Sequence, residues 1–408
     1  MKYFKSIKYC RISKKKDLIK IAKFPAMGLT GTFPKSLKKK IIKTPLEVVF
    51  SRSSKLLQLK HNYKSEILYG ENYGYRSGLN PVMIKHLKDK ASFLKKTIRI
   101  KDNFKILDIG ANDGTFLNFF SNKNEKYGID PTINKFKIFH KKETIKISKP
   151  FLEGVKKIKS KKFNLITAIA MFYDLEDPVK NLKKIKSLLN KNGIFHMEVA
   201  YLPAIIKNFS YDTFCQEHYE YYSLISLNIL IGKVGMKIAD FGFNSINGGS
   251  IWLNITHKEN NKNIRKNKLK KQIKLEYKEK IHLPNTYKIY FNKVFNHANS
   301  LKKIVTKLKK TNKIIYGYGA STKGNVLLQL SKIDSNYLSK IVDVNPYKLG
   351  RFTPLTNIKI TNEKELKNKN VNYVLLLIWH LKKHSLENIR KLNNKLKVII
   401  PFPKIKIL

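Results

Sequence analysis

Apolar residues occur in short runs separated by stretches of helical spacing from about residue 104 to residue 256. Residues 165–170 form one continuous apolar run, which is typical of a parallel strand covered on both faces. Helical spacing follows over residues 179–189, and residues 190–193 are the expected helix stop. The pattern predicts a doubly wound α/β domain that binds its ligands at the carboxyl edge of the strands.

Two further regions flank this predicted domain. Residues 1–70 are strand-like pieces between turn signals, including a predicted hairpin with its tip at residues 51–54. A lysine-rich helical connector is followed by a second alternation of strands and helices. The sequence therefore predicts an α/β fold with a central Rossmann-like domain, a small β-rich N-terminal domain and a C-terminal α/β domain. The predicted bounds are 1–70, 71–260, 261–312 and 313–408.

The first candidate ligand site is a glycine turn that follows the predicted strand at residues 105–109. Gly110 and Gly114 allow close approach of the backbone, and a helix predicted to begin near Thr115 would offer free N–H groups. Asp130 ends the next short strand, about twenty residues after Gly110, a spacing at which its carboxylate can accept both hydroxyls of a ribose. This combination predicts a nucleoside ligand, and the alternative is a strand-turn-helix corner without one.

Two other segments combine glycine with polar side chains. Residues 69–81 are rich in Tyr, Arg, Ser and Asn, which favours substrate contact as much as a plain interdomain loop. Gly317, Gly319 and Gly324 form a turn of phosphate-binding type, in which Ser321 and Lys323 could act as donors. The alternative for this turn is a role in packing alone.

The candidate catalytic residues lie in the tyrosine-rich segment 211–223, after the strand that carries Glu198. Glu217 and His218 place a carboxylate beside an imidazole. Removing a proton from a carbon beside a carbonyl needs a base that titrates near neutrality and a donor for the enolate oxygen. His218 suits the first role, and Glu217 could orient it or act itself. The alternative is a structural His–Glu pair.

Composition limits which partners and which cellular compartment are to be expected. The formal net charge is +55, but lysine is spread through nearly every segment and far outnumbers arginine, so a nucleic-acid partner is not expected. The charge should still help to collect an anionic small substrate. Two cysteines cannot form a disulfide framework, and no apolar run is long enough to span a bilayer. We expect a cytoplasmic protein without a membrane partner, and its oligomeric state is left open.

The segment from Asp108 to Gly114 resembles the first motif of class I S-adenosylmethionine-dependent methyltransferases, whose ligand carries no phosphate. The chain as a whole resembles the sugar C-methyltransferases that act on nucleotide-linked deoxysugars. The resemblance covers most of its length, through residues 75–83, 107–114, 128–131, 198–202, 212–218, 247–250, 317–325, 342–351 and 400–403.

This resemblance implies S-adenosylmethionine as the cofactor and C-methylation of a nucleotide-linked keto-deoxysugar. It gives His218 the role of the base that forms the enolate, with Glu217 as its partner and Tyr75 on the substrate side. The predicted cofactor residues are Asp108, Gly110, Asn112, Asp113, Gly114 and Asp130. The predicted substrate residues are Arg76, Ser77, Asn80, Tyr173, Tyr201, Tyr222, Gly317, Gly319, Ser321, Lys323, Asn325 and Asp343.

Three departures from the family pattern stand out. The resemblance implies a zinc site of two Cys-x-x-Cys pairs, but here the positions hold Cys10 with Ser13, and Ser51 with Ser54. One thiolate cannot replace a tetrahedral set, so we predict that the N-terminal fold persists without zinc.

Tyr173 stands where the family has a histidine, and Cys215 where it has a tyrosine. Both positions would handle substrate protons, so the methylated atom, and activity itself, are left open. The alternatives are an O- or N-methyltransferase acting on another small molecule or on RNA, and a non-catalytic homologue that binds cofactor or nucleotide.

Overall fold

The computed structural model describes residues 3–38, 41–69, 73–158, 161–260 and 265–408. Its strands are β1 (Phe4–Ser6), β2 (Leu18–Lys23), β3 (Met27–Gly28), β4 (Lys43–Thr44), β5 (Glu47–Ser51), β6 (Leu57–Leu59), β7 (His61–Tyr63), β8 (Lys105–Ile109), β9 (Glu125–Ile129), β10 (Ile145–Ile147), β11 (Phe163–Ile169), β12 (Leu189–Ala200), β13 (Glu220–Tyr221), β14 (Met236–Asn244), β15 (Ser250–His257), β16 (Ile314–Tyr318), β17 (Lys340–Asp343), β18 (Ile360–Asn362), β19 (Val371–Leu376), β20 (Lys397–Ile400) and β21 (Lys406–Ile407).

The α-helices of the same ranges are α1 (Ser65–Leu68), α2 (Pro81–Ile98), α3 (Ile133–Phe136), α4 (Phe151–Gly154), α5 (Pro178–Leu188), α6 (Leu202–Lys207), α7 (Leu224–Lys233), α8 (Lys266–Lys278), α9 (Pro284–Lys310), α10 (Thr322–Leu330) and α11 (Lys382–Leu392). No helix within the described ranges combines the length and the apolar character of a bilayer span.

The largest sheet has seven strands in the order β10-β9-β8-β11-β12-β15-β14. Its strands are parallel except β15, which runs antiparallel to both of its neighbours. Within this sheet, β8 is the first strand in chain order. Strands β9 and β10 extend the sheet on one side of β8, and β11 is then added on its other side. The strand order therefore reverses beside β8, and an α/β sheet binds its ligands at the carboxyl ends of the strands at such a point. The predicted α/β class is confirmed.

Two local details of this domain differ from the prediction. Gly114 is followed by a short 3₁₀ helix at Leu117–Phe119 instead of an α-helix, and Phe120 is already extended. The polar run that comes next turns on itself, because the Ser121 hydroxyl accepts the backbone N–H of Lys123 at 3.2 Å, and such side-chain bonds compete with a helix.

The second difference concerns residues 190–193, which already belong to a strand, although the helix itself ends within one residue of the predicted end. Helix α5 ends at Leu188, and β12 begins at the next residue. Leu189 pairs with Phe163, whereas Ile194 pairs with Leu165, so the intervening residues are absorbed by an irregularity at the start of the strand.

The N-terminal region is built around the predicted hairpin, in which β5 and β6 pair antiparallel. This hairpin belongs to a four-stranded sheet in the order β13-β6-β5-β2. Strand β13 directly follows His218 and Tyr219, so residues from the predicted central domain complete the N-terminal sheet. Arg11 fastens the same region to the central domain, since its guanidinium donates to the carbonyls of Glu176 at 2.8 Å and His61 at 3.1 Å. The domain boundaries drawn from the sequence stay predictions.

The C-terminal sheet has the order β18-β17-β16-β19-β20-β21, with five parallel strands and an antiparallel β21. The long helix α9 leads into it. Its buried face includes Tyr287, Tyr290 and Phe291, whereas Ile289 is 50% exposed.

A buried carboxylate fastens helix α8 to the central domain. Glu276 accepts the backbone N–H groups of Leu224 and Ile225 at 2.7 and 2.9 Å, and the hydroxyl of Tyr201 at 2.6 Å. The two N–H groups belong to the first turn of α7 and have no partner within that helix. Glu276 thus supplies acceptors to a buried helix end from a distant part of the chain.

We predict that Glu276→Ala lowers the free energy of unfolding by about 3 kcal/mol, because three buried donors lose their acceptor. Urea denaturation followed by circular dichroism measures this change. Glu279→Ala on an exposed position just after the same helix is the control, with an expected change below about 0.5 kcal/mol. Equal effects of the two substitutions would contradict the anchoring role.

Candidate active site

The glycine turn after β8 is closely packed from both sides. Gly110 and Gly114 have φ angles of +79° and +77°, which disfavour any residue with a side chain. A Cβ atom on Gly110 would lie 2.6 Å from Cγ of Met171, and one on Gly114 would lie 2.5 Å from Nδ1 of His140. Both glycines are therefore required by geometry, as the sequence predicted.

Two carboxyl groups lie at the ends of the neighbouring strands β8 and β9. Asp108 is buried and accepts the Thr167 hydroxyl at 2.6 Å. Burial raises the pKa of Asp108 to about 7, the nearby Asp130 acts in the same direction, and the Thr167 bond opposes the shift. Asp130 accepts the backbone N–H groups of Asn112 at 3.1 Å and Thr132 at 2.6 Å, and burial raises its pKa as well. The turn thus presents two acidic groups to one space.

The polar link before α2 lies directly on this turn. The backbone N–H of Ser77 donates to Oδ1 of Asn112 at 2.9 Å, and that of Gly78 donates to Oδ2 of Asp113 at 2.9 Å. The Nε atom of Arg76 lies 3.3 Å from Oδ2 of Asp113. Arg76 and Ser77 were predicted to contact substrate, but they hold the glycine turn. The part of the link at residues 70–72 lies outside the described residues.

His218 is held as a neutral imidazole of defined tautomer. Its Nδ1 lies 2.8 Å from the carbonyl oxygen of Thr213, and a carbonyl can only accept, so Nδ1 carries the proton. Burial lowers the pKa of His218 to about 4, the charge of Lys323 acts in the same direction, and the bond to Thr213 opposes the shift. The Nε2 lone pair is therefore available at neutral pH. The ring packs edge-on against Tyr173, with 4.5 Å between centroids.

Glu217 does not orient the imidazole, contrary to the sequence prediction. Its Oε2 accepts the hydroxyl of Thr30 at 3.2 Å, on the side of the N-terminal region. The Glu217 carboxyl is thus bonded to the N-terminal region, whereas Nδ1 of His218 is bonded to the Thr213 carbonyl. Burial raises the pKa of Glu217, and burial also raises the pKa of the neighbouring Cys215 thiol.

Three other predicted substrate residues have structural roles. Oδ1 of Asn80 accepts the backbone N–H of Val82 at 2.9 Å and caps α2. The hydroxyl of Tyr201 is bound to Glu276, and Tyr222 is fully buried in the apolar core. The structure does not bring these side chains to the turn. Tyr75 is 46% exposed.

The C-terminal turn after β16 is also tightly built. Gly319 has a φ of +88°, and Gly317 lies inside the strand, where a Cβ would lie 2.7 Å from Ile341. Three of the predicted nucleotide contacts are already engaged within the protein. Ser321 caps α10, Asn325 donates to the carbonyl of Thr30 at 2.7 Å, and Asp343 accepts the N–H of Ala320 at 2.7 Å.

Two lysines flank this turn. Nζ of Lys323 donates to the carbonyl of Asn247 at 2.5 Å, and Nζ of Lys348 donates to the carbonyl of Ala320 at 2.6 Å. Burial lowers the pKa of both ammonium groups. Both ammonium groups thus donate to main-chain carbonyls, and an anion bound beside them would be a further acceptor.

Several of these contacts are absent from the sequence prediction. Thr167, Thr132 and His140 act as hydrogen-bond partners of the first turn, and none stands in a pattern that would single it out. Thr213 contributes a main-chain carbonyl, which any residue type could supply. Lys348 and Thr213 both lie within resembling segments, 342–351 and 212–218.

At the position of the zinc site that the resemblance implied, hydrogen bonds join the cysteine and serine side chains to one another and to the backbone. Sγ of Cys10 lies 2.9 Å from Oγ of Ser54 and accepts the backbone N–H groups of Ile12 and Ser13 at 3.3 Å. The backbone N–H of Ser54 donates to Oγ of Ser51 at 3.3 Å. Within the ranges that the structure covers, no group of three or more His, Cys, Asp or Glu residues is placed to hold a metal ion.

Comparison with known families agrees with this architecture. Residues 81–240 match the model described as a methyltransferase domain, and residues 245–403 match the model described as the C-methyltransferase C-terminal domain. The chain belongs to the class I S-adenosylmethionine-dependent C-methyltransferases. The predicted relation to C-methyltransferases, the enzyme class and the cofactor are thereby confirmed, whereas the sugar substrate stays a prediction.

The relatives of this methyltransferase differ in how much of the chain they cover. The C-methyltransferase NovU of Streptomyces niveus is 24% identical over 369 residues, which cover 89% of this chain and 87% of NovU. A tRNA U34 carboxymethyltransferase of Campylobacter hominis is 33% identical over 104 residues, 24% of this chain and 36% of the relative. Among solved structures, the plantazolicin methyltransferase BpumL is 14% identical over 44% of this chain and 87% of that chain, with a TM-score of 0.35.

We predict that the triple variant Ser13→Cys, Ser51→Cys, Ser54→Cys binds roughly one zinc ion per chain, because it completes four thiolates on two preserved turns. Metal analysis of the purified protein measures this, and we expect no stoichiometric zinc in the wild type. The same variant with Cys10→Ser is the control and should bind zinc more weakly. One equivalent of zinc in the wild type would refute the prediction that the region folds without metal.

Proposed function

We propose that this methyltransferase methylates a carbon beside the ketone of a nucleotide-linked keto-deoxysugar, with His218 as the base. The observation that carries the proposal is the neutral imidazole of His218, whose Nδ1 proton is committed to Thr213. An imidazole in this state offers Nε2 as a proton acceptor, and an O- or N-methyltransferase acting on an already nucleophilic atom has less need of one.

The base lies at the same edge of the sheet as the cofactor turn. Met171 packs against Gly110 at the end of β11. Two residues later, the ring of Tyr173 contacts the imidazole of His218. A short stretch of chain thus links the turn to the base, and the proposed transfer requires that the two bound molecules meet between them.

The first turn fits the cofactor of the family. Gly110 and Gly114 pack against Met171 and His140 so closely that neither position can carry a side chain of its own. Asp130 would accept the ribose hydroxyls, and Asp108 would face the cationic methionyl part. When bound, S-adenosylmethionine supplies an electrophilic methyl group on a sulfonium.

The residues of the site would then manage the substrate proton and the enolate charge. His218 accepts the proton from the carbon at Nε2, and the Thr213 carbonyl stabilises the resulting imidazolium through the bond it already makes. Burial raises the pKa of the Tyr173 phenol well above its usual value, so this hydroxyl stays protonated and can donate to the enolate oxygen. Tyr173 can thus fill a role that the resemblance gave to a histidine.

The second turn would bind the nucleotide part of the substrate. Lys323 and Lys348 place two ammonium groups beside the N-terminus of α10, and both suit a diphosphate. The net charge of +55 would also speed the capture of an anionic substrate.

Deuterium exchange tests the role of His218. A panel of nucleoside-diphosphate keto-deoxysugars is incubated with enzyme and S-adenosylhomocysteine in D₂O, and exchange beside the ketone is followed by NMR. We expect wild-type exchange with at least one member, and a loss of about 100-fold or more in His218→Gln, with an unchanged affinity for S-adenosylhomocysteine. His384→Gln, at an exposed position of α11, is the control. Wild-type exchange in His218→Gln would remove the base assignment.

We predict that S-adenosylmethionine binds more tightly as pH rises from 6 to 8, by up to about tenfold. Asp108 has a pKa of about 7, and only its ionised form attracts the cationic ligand, so the competent fraction grows through this range. Calorimetry without sugar measures the dissociation constant.

Asp108→Asn should weaken binding and flatten the pH dependence. The ligand's own ammonium group titrates equally with every variant, and the exposed Asp102→Asn should match the wild type. An Asp108→Asn profile as steep as that of the wild type would exclude Asp108 as the titrating group.

A further inference from the structure

The C-terminal region reaches the turn that orients His218. That turn is the short 3₁₀ helix Tyr211–Thr213, whose last residue supplies the carbonyl bonded to Nδ1 of the imidazole. Helix α10 packs directly against it. The position of the carbonyl therefore depends on residues more than one hundred positions away in the chain.

One hydrogen bond joins this turn to the C-terminal sheet. Nε1 of Trp379 donates to Oδ2 of Asp212 at 2.7 Å. Asp212 is 1% exposed, and no described residue donates a hydrogen bond to its other oxygen. Burial raises the pKa of this carboxyl, while the bond from Trp379 and the charge of Lys323 oppose the shift. The hydrogen bond from the indole thus offsets part of the free energy that burial of the Asp212 carboxyl group costs.

The indole itself is fixed in place. Its ring lies 5.3 Å from that of Phe402, near the end of the chain. On another side it meets Gly248, where a Cβ atom would lie 3.1 Å from the ring. These contacts restrict movement of the Trp379 side chain, so its hydrogen bond can hold Asp212 in position.

We propose that Trp379 and Asp212 are positioning residues for the base, because their hydrogen bond holds the turn whose Thr213 carbonyl selects the Nδ1-protonated tautomer of His218. This inference rests on the proposed function of His218. Without the bond, the carbonyl shifts, and the neutral imidazole also adopts the tautomer protonated at Nε2. That form cannot accept a proton from the substrate, so the C-terminal region would be part of the catalytic apparatus as well as a nucleotide site.

A role limited to packing makes a different prediction. Trp379→Phe keeps an aromatic ring against Phe402 and removes only the N–H donor. If Trp379 only filled space, this variant would lose little beyond some stability. If it positions the base, the tautomer of His218 changes even when the protein remains folded.

The tautomer is measured by NMR of protein labelled with ¹⁵N-histidine at neutral pH, and His218→Gln identifies the signal. We expect wild-type His218 to show Nδ1 protonated and Nε2 unprotonated. Trp379→Phe and Asp212→Ala should show a mixture of both forms. Asp212→Asn keeps an oxygen that accepts the indole N–H, so it should retain the wild-type tautomer. Trp252→Phe removes the other tryptophan of the chain, away from this turn, and is the matched control.

The same variants are assayed for deuterium exchange with the most active sugar of the panel. We expect Trp379→Phe and Asp212→Ala to lower the maximal exchange rate in proportion to the fraction of His218 that leaves the wild-type tautomer, about twofold for an equal mixture. The Michaelis constant for the sugar and the affinity for S-adenosylhomocysteine should stay near wild type, as should all values for Asp212→Asn and Trp252→Phe.

The outcomes separate the two proposals. Wild-type tautomer and exchange in folded Trp379→Phe would overturn the positioning role. Wild-type exchange in His218→Gln would overturn the base assignment, while the tautomer spectra would still show whether Trp379 holds the turn. If Trp379→Phe does not fold, the comparison of Asp212→Ala with Asp212→Asn decides, and equal tautomers in that pair would overturn the proposal.

Discussion

The 2.8 Å hydrogen bond between His218 and the Thr213 carbonyl determines the chemistry that this site can perform. A neutral imidazole has one acceptor nitrogen, and this bond decides which one it is. All three regions of the chain contact the short segment 211–218 or the residues directly after it. Strand β13 ties its end to the N-terminal sheet, α10 packs on its beginning, and Tyr173 brings the cofactor edge against the imidazole.

Buried carboxyl groups serve two distinct purposes in this chain. Glu276 and Glu198 are saturated, and Glu198 accepts His86 at 2.7 Å and Lys90 at 2.8 Å, which lower its pKa to about 2 although burial opposes the shift. These carboxylates hold helices in place. Asp108 differs from these two, because its carboxyl accepts a single side-chain hydrogen bond, from Thr167, and burial raises its pKa to about 7. The number of donors around the carboxyl group therefore differs between the helix anchors and Asp108.

The sequence predicts features that depend on spacing along one element. The glycine turn, Asp130 and the α/β alternation follow from such spacing and are found in the structure. The sequence does not predict the direction in which a side chain points. Glu217 and His218 are adjacent in an irregular segment, yet their side chains bond to different parts of the protein. Tyr201 and Tyr222 were predicted to contact substrate, although one binds Glu276 and the other is buried in the core. The Thr213 carbonyl leaves no signal, since every residue carries one.

Strand β13 also constrains the order in which the chain can assemble. The hairpin β5–β6 is complete within the first sixty residues, but its sheet gains its last strand only from Glu220 and Tyr221. During synthesis the edge of β6 therefore stays open while about 160 further residues emerge, at a ribosomal rate of roughly 5–20 residues per second. An open edge of this kind is a site for wrong pairing with another nascent chain. Yield on expression should thus depend on how quickly the segment that carries the imidazole reaches the hairpin.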